Sequence, residues 1–184
     1  MIELIAWLKS NPRVSVGSTA AGPRLVTAVF QRETGTRQAV VPYRGTAAVY
    51  QDLMGGQIDI SFITPDGLPL VRAGNLKAYA ATSNRRMTAA PDIPTFAELG
   101  FPTVSWMSWH GLFAPKGTPK DIIGKLNAAA VAALADPAVR SRLADLGAEV
   151  FPPEQQTPEA LGALVKADAE KWWPVIQELG IKAE

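Results

Sequence analysis

Three short β-branched runs, each followed by small or polar residues and then by an apolar helical stripe, constrain this chain more than any other feature. Val14-Ser15-Val16-Gly17 passes through Ser18-Thr19-Ala20-Ala21-Gly22 into a stretch where Leu25, Val26, Val29 and Phe30 share one helical face. Pro23 suits the first turn of that helix, where a backbone N–H has no partner, and Gly35 is placed to end it. Gln38-Ala39-Val40-Val41 passes through Pro42-Tyr43-Arg44-Gly45 into a helix from about Thr46, carrying Val49, Tyr50, Leu53 and Met54. Ile58 to Ile63 alternates apolar and polar residues, and Thr64-Pro65-Asp66-Gly67 breaks it before a short helix with Leu68, Leu70 and Val71. Leu76 to Thr82 reads as a fourth strand. Strand and helix alternating at this spacing imply right-handed βαβ crossovers and a parallel sheet, an α/β fold.

The pattern changes after Ser83. Thr95-Phe96-Ala97-Glu98 has the spacing of a capping box and predicts one helical turn ending at Gly100. Val104 to Ala114 is rich in aromatic residues and reads as extended. Thr118-Pro119, Asp136-Pro137 and Thr157-Pro158 each place an N-cap residue before a proline, which predicts three helices. The last has Leu161, Leu164, Val165, Trp172, Ile176 and Leu179 on one stripe and Pro174 inside it, where a kink is expected. The chain therefore divides into an α/β lobe over 1–105, a crossover over 106–118 and a helical segment over 119–184. That last segment has apolar helix faces but little strand, at most Glu149-Val150-Phe151, so its packing surface is expected outside these residues.

Composition narrows the function. Lys and Arg number 18 against 17 Asp and Glu, a net charge of +1, and this leaves no electrostatic footprint for nucleic acid. The absence of Cys excludes disulfides and thiolate chemistry, and a single His excludes His-rich metal clusters, so neither cofactor nor metal is expected. No run reaches membrane-spanning length, and the first residues do not read as a signal peptide. His110 follows Ser108 too closely to form a triad and is expected to be buried or to line a hinge. The carboxylates of Asp52, Asp59, Asp168 and Glu170 are expected to be solvated charges and caps. Gly17 to Gly22 lacks the spacing of a phosphate loop. The residues thus point to no catalytic group.

What remains is a set of loops. Ser18–Gly22, Tyr43–Thr46 and Thr64–Gly67 follow three strand ends, and in a parallel sheet such loops share the edge where open α/β folds bind ligands. Helix starts there suit a carboxylate or other small anion, with hydroxyls of Ser18, Thr19, Tyr43, Thr46 and Thr64 to orient it. The alternative is that Ser18 and Thr46 only cap helices while Tyr43 packs.

Blocks along the whole chain carry a family resemblance. Val41-Pro42-Tyr43-Arg44-Gly45, Gln51-Asp52-Leu53, Gly56-Gln57-Ile58-Asp59, Ala73-Gly74-Asn75-Leu76-Lys77-Ala78, Pro94 to Gly100 and Gly111 to Pro119 resemble the tripartite tricarboxylate transporter substrate-binding proteins, the Bug-type receptors. The resemblance implies a type II periplasmic-binding-protein (Venus-flytrap) fold without catalytic activity, binding a small organic acid and handing it to membrane permease subunits. It implies a periplasmic location. Carried over by position, it makes Ser18, Thr19, Ala20 and Gly22, then Tyr43, Arg44, Gly45 and Thr46, then Thr64 and Asp66 the ligand-binding residues. Nothing here resembles the N-terminal part of the family's first lobe. A truncated form is therefore expected, its uncovered helix faces prone to self-association. The alternatives are the ligand-sensing effector domain of a LysR-type regulator, which shares this architecture, and a small α/β enzyme, which the residue inventory disfavours.

Overall fold

A computed structural model describes residues 1–178 and residue 180. Two compact units make up the chain, Met1–Ser108 and Trp109–Gly180.

The first unit begins with helix α1 (Ile2–Ser10), which buries Leu8. Strand β1 (Ser15–Ser18), helix α2 (Ala21–Thr34), strand β2 (Ala39–Pro42), helix α3 (Thr46–Met54) and strand β3 (Ile60–Ser61) follow. A turn of 3₁₀ helix over Pro65–Gly67 leads into the short helix α4 (Leu68–Arg72). The sheet is parallel with the order β2-β1-β3; Val16 pairs with Val40 on one side and Ile60 on the other. The central strand is covered on both faces, as parallel sheets are: Val16, Gly17 and Ser18 are all buried.

The helical stripe read from sequence packs as its period requires. Leu25, Val26, Val29 and Phe30 of α2 are all at most 5% exposed. Phe30 meets Phe62 and Phe96 edge-on, with ring centroids 5.7 and 5.9 Å away. Gly35 closes α2 in the left-handed conformation (φ 62°), its N–H donating to the Gln31 carbonyl, a geometry that favours glycine because it has no Cβ. Val49 of α3 and Ile58 lie against Gly17 of β1.

Three expectations change in this unit. The run Ile58–Ile63 forms only a two-residue ladder, because side chains replace backbone at its ends: Asp59 Oδ2 accepts from Ser15 N at 2.8 Å and Ser15 Oγ at 3.0 Å. Leu76–Thr82 is not a strand of the sheet; it makes one bridge, Ala81 to Thr95. Its partner cannot extend the ladder, since Pro91 and Pro94 lack N–H groups and Thr95 N is taken by the Glu98 carboxylate at 2.7 Å. The Thr95–Glu98 capping box is formed, with Glu98 N donating to Thr95 Oγ1 at 3.2 Å, but it closes a turn instead of a helix.

The second unit is helical: α5 (Lys120–Ala135), α6 (Pro137–Asp145) and α7 (Pro158–Glu178), with no strand among its described residues. Glu149-Val150-Phe151 is therefore not a strand. Asp136 caps α6 by accepting from Ala138 N and Val139 N, and Thr157 Oγ1 accepts from Ala160 N at the start of α7. Thr118 does not cap α5: its hydroxyl donates to the Pro115 carbonyl, and Pro119 occupies the cap position. Pro174 lies inside α7, and Leu179 falls outside the described residues. Asp168 is not merely solvated but accepts from the Trp109 indole at 2.5 Å. His110 is exposed, so the buried alternative is not realised. Neither α5 nor α6 contains a buried residue; Leu126 is 43% exposed, and Trp172 is the buried side chain of α7. No single helix among the described residues is long and apolar enough to cross a membrane.

Candidate ligand site at the edge of the parallel sheet

Because β1, β2 and β3 run parallel, their carboxyl ends lie at one edge of the sheet. The loops that leave them hold every residue singled out from the sequence as a ligand contact.

The first loop opens α2. Its cap residue is Ala20, with no side chain bonded to the helix N-terminus. Ser18 is buried and its hydroxyl donates to the Ala20 carbonyl at 3.3 Å, so it fixes the loop and does not cap the helix. Thr19 is half-buried, and Ala20 is exposed. Gly22 lies beneath the indole of Trp106: a Cβ there would stand 2.4 Å from Trp106 Cζ2.

The second loop opens α3. Gly45 is its cap residue, and again no side chain bonds the N-terminus. Thr46 is the first helical residue and half-buried. The alternative in which Ser18 and Thr46 serve as helix caps is thus not realised. Tyr43 donates from Oη to Asp52 Oδ2 at 2.6 Å, holding the loop against the body of α3. That hydrogen bond, then burial, then the nearby negative charge raise the tyrosine pKa. Arg44 and Gly45 are exposed, and Arg44 makes no hydrogen bond or ion pair with the described residues.

The third loop is built differently. Thr64 precedes a turn of only three residues, too short for the dipole of a true helix start, so two helix N-termini meet at this edge and not three. Asp66 Oδ1 accepts from Tyr50 Oη of α3 at 2.9 Å and from Thr64 Oγ1. Burial, followed by the hydrogen bond to Asp66, pushes the Tyr50 pKa up to about 12. Tyr50 lies one turn beyond Thr46 on the same helix face. Helix α3 therefore holds both loops, one through Tyr43–Asp52 and the other through Tyr50–Asp66.

Sequence reading placed the loops but missed these anchors. Asp52 and Asp59 were expected to be solvated charges, whereas Asp52 holds Tyr43 and Asp59 holds Ser15. The alternation at Ile58-Asp59-Ile60 was a signal for a strand, and it says nothing of a carboxylate bonding across to β1. Among the described residues, no three His, Cys, Asp or Glu side chains converge as a metal site.

The edge thus combines exposed loops with two helix starts that no side chain caps. A family model described as the tripartite tricarboxylate transporter family receptor matches residues 1–181. The chain belongs to this receptor family. Among its curated relatives, a protein encoded in the TAR-I ttuE-ttuC' intergenic region of Agrobacterium vitis is 36% identical over 182 residues, covering 97% of this chain and 53% of the relative. Protein BugT of Bordetella pertussis is 36% identical over 184 residues, covering 97% of this chain and 55% of BugT. The chain thus spans about half the length of these two curated relatives.

Solved structures give the same fold. The periplasmic binding protein BugD superposes with a TM-score of 0.89 at 34% identity, over all of this chain and 62% of that one. MatC from Rhodopseudomonas palustris, with bound malate, gives 0.86 at 34% identity over 96% of this chain and 61% of its own. The R. palustris protein Rpa4515, with adipate, gives 0.88 at 30% identity over 100% and 62%. The fold is therefore that of the periplasmic binding proteins, with α/β architecture and a parallel sheet, as the sequence implied.

Proposed function

We propose that residues 1–105 form the ligand-holding α/β lobe of an extracytoplasmic solute receptor that binds a small organic carboxylate and performs no chemistry on it. Ser18–Gly22, Tyr43–Thr46 and Thr64–Asp66 are the contact loops in this reading. The observation that carries it is the pair of uncapped helix starts, α2 and α3, at the edge where Arg44 stands exposed and unpaired among the described residues. Backbone N–H groups at two helix starts and a guanidinium are donors matched to carboxylate oxygens. Malate and adipate in the similar MatC and Rpa4515 structures are both small dicarboxylates, which supports the same class here. Residues 1–105 are in this reading the family's second lobe, and residues 119–184 a helical segment that contributes to its first. A receptor of this family works in the periplasm and delivers its ligand to the membrane permease subunits of a transporter.

Thermal unfolding of the 184-residue chain with a panel of small carboxylates tests the reading. Ligand at about 100 times its dissociation constant adds roughly 2.7 kcal/mol, a shift of several degrees. Replacing Thr46 by Trp at the mouth of α3 abolishes the shift while leaving the unliganded midpoint near that of the parent. Unchanged affinity in that variant removes the second loop from the site. No shift with any carboxylate refutes binding by this lobe as it stands.

A further inference from the structure

The third loop carries a negative charge toward the edge proposed to bind an anion. Asp66 is exposed, and its two donors from the protein, Tyr50 Oη and Thr64 Oγ1, both bond to Oδ1. No donor among the described residues reaches Oδ2. A carboxylate fixed through one oxygen, with the other turned to solvent, is a positioned acceptor. No cation among the described residues pairs with it, and Arg44, on the loop after β2, is itself unpaired among them. The edge therefore presents one free positive group on the loop after β2 and one half-used negative group on the loop after β3, with the loop after β1 between them. A ligand bearing only carboxylates satisfies the first and is repelled by the second. A ligand that also carries a hydrogen-bond donor satisfies both, because a donor to an ionised acceptor is among the stronger hydrogen bonds.

We infer that Asp66 sets the ligand class of this site, selecting small carboxylic acids that also carry a hydroxyl or ammonium group over plain dicarboxylates. The inference rests on the proposed carboxylate site. Tyr50 and Thr64 act as positioning residues, holding Oδ1 so that Oδ2 faces the ligand.

Titration calorimetry of the 184-residue chain with malate, aspartate and succinate tests it, because these four-carbon diacids differ in bearing a hydroxyl, an ammonium or neither. Malate or aspartate is expected to bind at least about tenfold more tightly than succinate, the factor that one hydrogen bond to a charged acceptor supplies. Which of the two is preferred distinguishes a hydroxyl donor from an ammonium. Asp66→Asn keeps an acceptor for Tyr50 and Thr64, and so keeps the loop, but removes the charge. It is expected to bring succinate within about threefold of the preferred ligand in a chain that still unfolds cooperatively above the titration temperature. Equal affinities in the parent chain, or an undiminished preference in Asp66→Asn, overturn the inference and leave the carboxylate site standing. Failure of all three acids to bind, while adipate still shifts the unfolding midpoint, also overturns the inference alone. Failure of every carboxylate overturns the site and the inference together.

Discussion

Gly22→Ala is a small change with a large steric consequence. Gly22 is the second residue of α2, and the Trp106 indole closes over it from later in the same unit. An added Cβ would stand 2.4 Å from Cζ2, 2.8 Å from Cη2 and 3.1 Å from Cε2 of that ring. Carbon atoms pack comfortably at about 3.5–4.0 Å, so the ring must retreat by about 1 Å. Overpacking of this kind costs about 1–3 kcal/mol. Alanine returns about 0.5–1 kcal/mol through helix propensity and a less flexible unfolded chain. The net expectation is a loss of about 0.5–2 kcal/mol, a fall of several degrees in unfolding midpoint. The decisive assay is a double-mutant cycle with Trp106→Phe, which removes Cζ2 and Cη2, followed by far-UV circular dichroism. Gly22→Ala should cost at least about 1 kcal/mol less in the Trp106→Phe background. The same cost in both backgrounds refutes the steric account and assigns Gly22 some other role, such as backbone contact with the ligand.

Asp59→Ala removes the acceptor for both Ser15 N and Ser15 Oγ and should lower stability by about 1–2 kcal/mol, with Asp59→Asn losing less; urea midpoints check it. Leu126→Asp should change the stability of the 184-residue chain by less than about 0.5 kcal/mol, since that side chain is 43% exposed. A loss of several kcal/mol on denaturant unfolding would show that the α5 face is covered in solution. Tyr43 and Tyr50 both hold their protons more tightly when folded than the ordinary tyrosine pKa of 10.0 allows. The Tyr50 contribution is therefore complete below pH 10 and lost as pH rises toward about 12, and the Tyr43 contribution is likewise lost above pH 10. Unfolding midpoints should fall over that window and fall less in Tyr50→Phe; an equal fall in both would count against the Tyr50–Asp66 bond.

The parts of this fold that were legible in the sequence are those set by local period. Leu25, Val26, Val29 and Phe30 declare α2 because their spacing matches its turn, and Val14–Gly17 declares a central strand because small and β-branched residues fit a sheet covered on both sides. The strand at Leu76–Thr82 was misread for a physical reason: apolar composition shows that a segment can be buried, whereas pairing depends on N–H groups elsewhere. Pro91, Pro94 and the Glu98 carboxylate withdraw those groups. The candidate site was legible only as a set of loops. Its anchors join residues 9, 16 and 44 positions apart, separations at which no sequence pattern records a hydrogen bond.

Helix α3 has a consequence for the energetics of capture. Its two tyrosine–aspartate struts brace the second and third loops to one rigid rod of nine residues before any solute arrives. An encounter then does not have to freeze two independent segments, and the entropy of ordering them has already been spent in folding. The first loop has no such brace from α3; its Ser18 hydroxyl only bonds locally, to Ala20. Ser18 is nevertheless tied to the second loop, its carbonyl accepting from Tyr43 N at 2.8 Å, and Trp106 closes over Gly22, so in the proposed site all three loops would be set before a solute arrives.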